Sequence, residues 1–398
     1  MIILCVATAI LKYIPMEFLP FFLILLATVL FAAAFRRFHL PWVLALITAG
    51  VVVGPYGFGF AEVTPTLSFL SQIGLIFLMF MAGLETKFDS FKKLKYNIGW
   101  LSALNSLIPF AAGIALGYWF EFSLTASLLI GVIFMSSSIA VIIPTLESLK
   151  LNNTRLGKSI VASTIIEDVL SLVLLSILLQ SVNPITALPL PSFYFLLAII
   201  MIGFAYGLPK LRALIPHHAN EKDLFESEVR IIFALMIGVV VTFELLGLHP
   251  IIAGFFAGLV LSESIKSEIL MEKLRTMSYG IFIPVFFVVI GMETNIGVFQ
   301  QSVSVIGLIA AVVFVSVFTK FISGWIGGKI IGFKNKESAI IGLATIPQLS
   351  TTLAVVFTAV ETGLLPEELI TAMVILSIAT TLIAPIGLRL VSEKKARD

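Results

Sequence analysis

Apolar residues in this chain gather in unbroken runs, without the polar–apolar alternation of a half-buried strand. The runs approach 20 residues and recur from end to end, the length a helix needs to cross about 30 Å of hydrocarbon. Thirteen candidate spans follow, at residues 18–35, 40–54, 68–84, 98–120, 124–149, 156–180, 192–214, 229–247, 249–262, 278–292, 303–331, 338–360 and 367–390. Turn signals separate most of them: residues 39–41 (HLP), 54–57 (GPYG), 151–153 (LNN) and 183–184 (NP). The pattern predicts an all-α polytopic membrane protein of about thirteen transmembrane helices, and continuous runs argue against a transmembrane β-barrel. Residues 1–17 hold a short apolar run without a basic flank and read as a leader or extension, not a cleaved signal.

Composition agrees. The 398 residues are 59% hydrophobic and 12% charged, with mean hydropathy +1.11; a soluble chain would carry roughly twice that charge. A net charge of +2 gives no case for nucleic acid, and the single cysteine, Cys5, excludes an intrachain disulfide framework. The distribution of charge is more informative than its sum. With thirteen alternating spans, 23 of the 25 basic residues fall at junctions on one side, Lys12 and Lys320 being the exceptions. The other side carries Glu62, Glu121, Glu293, Glu361, Glu367 and Glu368. Basic residues face the cytoplasm, so the N-terminus is expected outside and the C-terminus inside an inner membrane. The last span ends close to the C-terminus, and no appended soluble domain is expected.

Two spans carry polar centres. Span 5 reads SLLIGVIFMSSSIAVIIPTLES from Ser127, and span 12 reads SAIIGLATIPQLSTTLAVVFTA from Ser338. At an offset of 211 residues, Ser127, Ile130 and Gly131 fall on Ser338, Ile341 and Gly342. The first centre holds Ser136, Ser137 and Ser138, with Pro144 beyond; the second holds Thr345, Pro347, Gln348, Ser350, Thr351 and Thr352. The spans lie seven apart, so the two halves would be inverted repeats. Matched interrupted helices in two inverted halves point to a secondary transporter, because a broken helix frees backbone groups that must line a cavity or find partners.

Three charges sit deep in the hydrophobic bodies of spans. Glu167 and Asp168 are adjacent on span 6, where a single charge costs at least about 2.5–3.5 kcal/mol. Consecutive helical residues point about 100° apart, so the two acids cannot face one partner equally. Thr164 and Ser171 share the face of Asp168, and Ser163 that of Glu167. Lys320, in span 11, needs a counter-charge, which Glu167 or Asp168 would supply; the alternative is that it snorkels toward the cytoplasm past Lys329. Glu244 and His249 read as interfacial, His217 and His218 as loop residues, and Glu147 and Glu263 as surface acids near span ends. GPYGFG at 54–59 has no strand–helix setting and is not a phosphate cradle. No nucleophile–base set or nucleotide motif appears, so neither an enzyme nor a cofactor is expected.

The residues at this point resemble a known family. SSSIAVIIPTLESLKLNNTRLGKSIVASTIIEDVLSLVL, from Ser136, closely resembles the core of the monovalent cation:proton antiporter type 2 family, with its Kef-type and NapA-type members. FLMFMAGLETKF at 77–88, HPIIAGFFAGLVLSES at 249–264 and PVFFVVIGMETNI at 284–296 resemble further family segments. The resemblance implies an NhaA-like antiporter fold and a homodimer in lipid. It implies dimerisation helices in 18–97 and 229–300, a mobile core in 98–182 and 301–391, a linker helix and loop in 183–228, and a tail from 392 to 398. It assigns Asp168 to binding Na+ or K+ and H+ in turn, Glu167 to the first position of that ion- and proton-binding pair, with its own titration left open, and Lys320 to the ion-pair partner of Glu167. The broken-helix residues Ser136, Ser137, Ser138, Thr345, Gln348, Ser350 and Thr351 would line the site, with Thr164 and Ser171 as additional oxygens. Two departures stand out. The acid pair is Glu-Asp, where NapA-type members have Asp-Asp and Kef-type members Gln-Asp, which leaves stoichiometry open. The Kef-type nucleotide-binding domain is missing from this chain. A sodium-coupled organic anion symporter and a gated cation efflux channel are the alternatives.

Overall fold

In a computed structural model, all regular structure is helical among the described residues, which are 18–37, 42–85, 96–151, 154–182, 190–214, 226–246, 248, 250–262, 264–265, 267–295 and 303–393. The helices are α1 (Phe18–Arg37), α2 (Trp42–Val53), α3 (Pro65–Glu85), α4 (Tyr96–Trp119), α5 (Leu124–Met135), α6 (Ile139–Ser148), α7 (Arg155–Val182) and α8 (Leu190–Leu214). They continue as α9 (Ser227–Leu245), α10 (Pro250–Leu261), α11 (Glu268–Met277), α12 (Ile283–Glu293), α13 (Val303–Ile330), α14 (Asn335–Ala344), α15 (Ser350–Glu361) and α16 (Glu367–Glu393). Among the described residues, six helical stretches are long and apolar enough to cross a membrane: Pro65–Glu85, Ile98–Trp119, Arg155–Val182, Glu268–Glu293, Val305–Ile330 and Glu367–Leu388. The expected extension at 1–17, the turns at 39–41, 152–153 and 183–184, the basic residues at 87–95, His217, His218, His249, Glu263 and the residues from 394 onward lie outside the described residues, as does the Glu147 side chain.

Three predicted spans differ in form. Spans 5 and 12 are each two helices, α5 then α6 and α14 then α15. Span 10 begins ten residues earlier than its apolar run, at Glu268, where the Ser267 hydroxyl caps the helix by accepting from the Leu270 N–H (3.3 Å). That first stretch mixes charge with leucine, so an apolar window misses it. A π turn at Ser278–Phe282 joins α11 to α12. Lys273 and Arg275 are therefore helical, and they pair with Glu226 at 2.7 Å and Glu85 at 3.1 Å.

The breaks have local causes. Ser136 ends α5 in an extended conformation (φ −72°, ψ 157°), and serines compete for backbone partners in helix interiors. Pro347 has no N–H and disfavours helical geometry at the residue before it, which stops α14 at Ala344. Freed backbone groups then find partners across the two breaks. The Ser138 N–H donates to the Pro347 carbonyl (2.7 Å), and the Gln348 side chain donates to the Phe134 carbonyl (2.9 Å). The Gln348 N–H donates to the Thr380 hydroxyl (3.1 Å).

Contacts divide the chain into two compact units. The smaller holds residues up to Leu75 and Tyr279–Val305; in it α2 packs on α12, and Trp42 sets its ring edge-on to Tyr279 and Phe287, each at 5.8 Å. The larger holds Ile76–Ser278 and the chain from Ile306. There α4 packs on α5 through bare backbone: a Cβ on Gly113 would lie 2.7 Å from the Gly131 Cα, and one on Gly117 would lie 2.7 Å from the Ser127 Cα. The same contacts recur 211 residues on between α13 and α14, where a Cβ on Gly324 would lie 2.8 Å from the Gly342 Cα and one on Gly328 would lie 3.0 Å from the Ser338 Cα.

These approaches leave no room for a side chain. Gly113→Leu and Gly324→Leu are each expected to lower stability by about 1–3 kcal/mol. Gly203→Ala, which meets nothing within 4 Å, is the control. Thermal unfolding of detergent-purified protein measures the difference; equal melting of all three would contradict the packing.

Candidate functional site at the crossing of two broken helices

α7 passes the breaks with Glu167 and Asp168 pointing inward; Glu167, Asp168 and Lys320 are 0%, 3% and 0% exposed. The two acids have unlike surroundings. Glu167 accepts four hydrogen bonds. Oε1 receives Asn105 Nδ2 (2.8 Å) and Ser163 Oγ (2.7 Å). Oε2 receives Lys320 Nζ (2.9 Å) and Ser137 Oγ (2.7 Å). Both oxygens of the carboxylate are thus saturated.

Lys320 does not snorkel. Its ammonium lies 2.9 Å from Glu167 Oε2 and donates also to the Met135 carbonyl (2.6 Å), Ser137 Oγ (2.9 Å) and the Asn105 carbonyl (3.2 Å). Met135 is the last residue of α5, so its carbonyl is available because the helix stops there.

Asp168 has fewer partners. Oδ1 accepts from Thr351 Oγ1 (3.1 Å), and the Ser137 main-chain N–H also interacts with the carboxylate. The two acids thus share the first break: the Ser137 hydroxyl serves Glu167 and its N–H serves Asp168. The remaining expected residues lie at or near the breaks. Ser136 Oγ is 3.0 Å from Thr352 Oγ1, and Ser138 Oγ is 3.5 Å from Ser350 Oγ. The Thr345 carbonyl lies 2.9 Å from Ser137 Oγ. Ser171 donates to the main-chain carbonyl of Asp168 (2.8 Å), which leaves only its lone pairs for another partner. Thr164 Oγ1 and Gln348 Oε1 are buried without a hydrogen-bond partner. An unpartnered buried polar atom is costly, by about 1–3 kcal/mol, and both of these oxygens keep their lone pairs unused. Among the described residues no group of three or more His, Cys, Asp or Glu side chains forms a metal cluster. A cation here would be held by one carboxylate with hydroxyl and carbonyl oxygens.

Sequence reasoning did not single out Asn105, whose amide also accepts from Ser323 Oγ (2.7 Å), nor Ser323 and Thr380. An asparagine between Ser102 and Ser106 in a largely apolar span was the available signal, but neutral polar residues in spans are common enough that it did not stand apart.

The architecture is that of an integral, multi-pass membrane protein with a buried charged site between interrupted helices. The sodium/hydrogen exchanger transmembrane family profile matches residues 22–394, and the chain belongs to that family. The monovalent cation:proton antiporter family expected from the motifs is borne out, the match being to the sodium/hydrogen exchanger family rather than to a Kef-type branch. The probable Na(+)/H(+) antiporter 3 of Methanocaldococcus jannaschii is 34% identical over 95% of this chain and 98% of its own length. The Na(+)/H(+)-K(+) antiporter GerN of Bacillus cereus is 32% identical over 93% and 95% respectively. The structure of the sodium proton antiporter MjNhaP1 from M. jannaschii at pH 8 shares the fold, with TM-score 0.69, 17% identity, and coverage of 94% of this chain and 96% of that one.

Removing one partner of a fully buried ion pair leaves the other uncompensated. Lys320→Ala is expected to cost about 3–5 kcal/mol. Replacing both, in Lys320→Met with Glu167→Leu, should recover much of that. Melting temperatures in detergent test the contrast, and a double replacement that melts below Lys320→Ala would refute it.

Proposed function

We propose that the protein exchanges Na+ or K+ for H+ across a membrane, with cation and proton competing for Asp168. The carrying observation is the asymmetry of the acids. Glu167 has its charge matched by Lys320 and its oxygens saturated. Among the described residues Asp168 has a single side-chain donor, Thr351, and no basic partner in hydrogen-bond reach. A carboxylate in that state is served by a proton or by a monovalent cation. Binding of Na+ then releases H+ from Asp168 into the same aqueous opening, and reprotonation releases Na+ on the other side. Thr164, Thr351 and the oxygens of the breaks would complete the cation's shell, with Ser171 and Gln348 as further donors of lone pairs.

The names of the family and its relatives support this cargo, and the B. cereus relative, named for both Na+ and K+, supports keeping potassium beside sodium. Alternating access is the expected route, with thirteen spans in two inverted repeats; the recurring glycine contacts at an offset of 211 support the repeat. In this reading the core formed by 98–182 and 301–391 moves. Residues 18–97 and 229–300 hold a homodimer in the inner membrane, and the C-terminus is cytoplasmic.

Purified protein in liposomes with an internal pH dye tests the reading. Na+ and K+ pulses should drive proton flux that Asp168→Asn abolishes. Because protons compete for the same carboxylate, the KM for Na+ should rise as pH falls, by up to about tenfold per unit in the acid limit. Undiminished flux in Asp168→Asn, or a KM indifferent to pH, would rule the mechanism out.

A further inference from the structure

Asn105 lies in α4, fully buried, and has no part in the exchange chemistry proposed above. It nonetheless touches both members of the ion pair. Its amide nitrogen donates to Glu167 (2.8 Å), its amide oxygen accepts from Ser323 (2.7 Å), and its main-chain carbonyl accepts from Lys320 (3.2 Å). That carbonyl is free for a reason written in the sequence. In a helix the residue four positions on supplies the N–H that would occupy it, and here that residue is Pro109, inside α4 and without an N–H. Asparagine is also the side chain that fits. Aspartate could not donate to Glu167, and leucine would leave both Glu167 Oε1 and Ser323 one partner short.

We propose that Asn105 is a positioning residue for exchange: it pins Glu167 and Lys320 to each other, which keeps the Lys320 ammonium off Asp168 and leaves that carboxylate to the incoming cation. The competing position is close. Lys320 donates to the Ser137 hydroxyl, while the main-chain N–H of the same serine interacts with Asp168. An ammonium that shifted along Ser137 would stand where cargo must bind, and in a water-poor interior such a charge acts strongly. Three holds oppose the shift: the saturated Glu167 carboxylate, the Met135 carbonyl at the end of α5, and the Asn105 carbonyl released by Pro109. Asn105 supplies the last directly and orients the first. The inference rests on the proposed role of Asp168.

The experiment is Na+-driven proton flux in liposomes for wild type, Asn105→Leu, Pro109→Ala, and Asn105→Leu in a Glu167→Leu/Lys320→Met background. Asn105→Leu should raise the KM for Na+ by about tenfold or more, as losing one hydrogen bond to a charged group implies, with the maximal rate changed much less. Pro109→Ala returns an N–H to the Asn105 carbonyl and should raise KM about two- to threefold, a weaker hold being lost. In the background without the ammonium, Asn105→Leu should leave KM where it was. A fall in maximal rate at constant KM would make Asn105 a packing residue and overturn the proposal, as would an equal KM shift in the ammonium-free background. Should that background fail to fold, Pro109→Ala decides, because it retains the side chains of the site; an unchanged KM overturns the proposal. Wild type without cation-driven flux, or Asp168→Asn with full flux, would instead remove the exchange reading on which the proposal stands.

Discussion

An ammonium buried among apolar helices stays charged only if its protons are all taken and a negative charge lies beside it. Lys320 meets both conditions, and much of the site's architecture follows from how. Its carboxylate partner is on α7, one carbonyl acceptor is the end of α5, and another is on α4. No single continuous helix could offer those groups, because helix-interior carbonyls are already engaged. The break after Met135 and the proline in α4 each release a carbonyl that the ammonium then uses. Irregular backbone, which lipid would penalise, is here stabilised by the same charge that lipid would also penalise.

The recurrence at an offset of 211 residues separates scaffold from chemistry. Gly113 against Gly131 and Gly324 against Gly342 are the same backbone approach made twice, and it brings a long helix close to a broken one in each half. The polar content of the halves differs. The position matching Lys320 is Pro109, and the position matching Ser137 is Gln348. One half thus donates a lysine and the other the proline that frees a carbonyl for it. Packing recurs in both halves while each contributes one sign of charge, the acids from the first and the lysine from the second, which is what a single ion pair at the crossing requires.

That division also explains what could be read from the sequence. Glu167, Asp168 and Lys320 stood out because an ionised residue in a span is expensive and therefore rare. The breaks were legible because three serines, or a proline beside threonines, are poor helix interior. Asn105 was not, since a neutral amide in a span carries little penalty, and its meaning lies in partners 62 and 218 residues away. The start of α11 was missed for a related reason: its first ten residues are held by a serine cap and by ion pairs to Glu226 and Glu85, none of which an apolar window registers.

The pairing of Glu167 with Asp168 is best understood as one helix turning two faces to two environments. About 100° of rotation separates them. On one side are four donors and a saturated carboxylate; on the other are one threonine hydroxyl and the N–H of Ser137. Adjacent carboxylates in a low dielectric repel unless one is neutralised. Neutralising Glu167 in place allows Asp168 to stay near it with its own capacity unspent. The unpartnered Thr164 hydroxyl, one turn before Asp168 on the same face, fits that division: it is the oxygen α7 can add toward a ligand of Asp168. The saturated acid therefore serves the vacant one. In the exchange proposed for Asp168, the value of Glu167 lies in not exchanging: the closer its partners hold it, the more completely Asp168 is left to its own ligand.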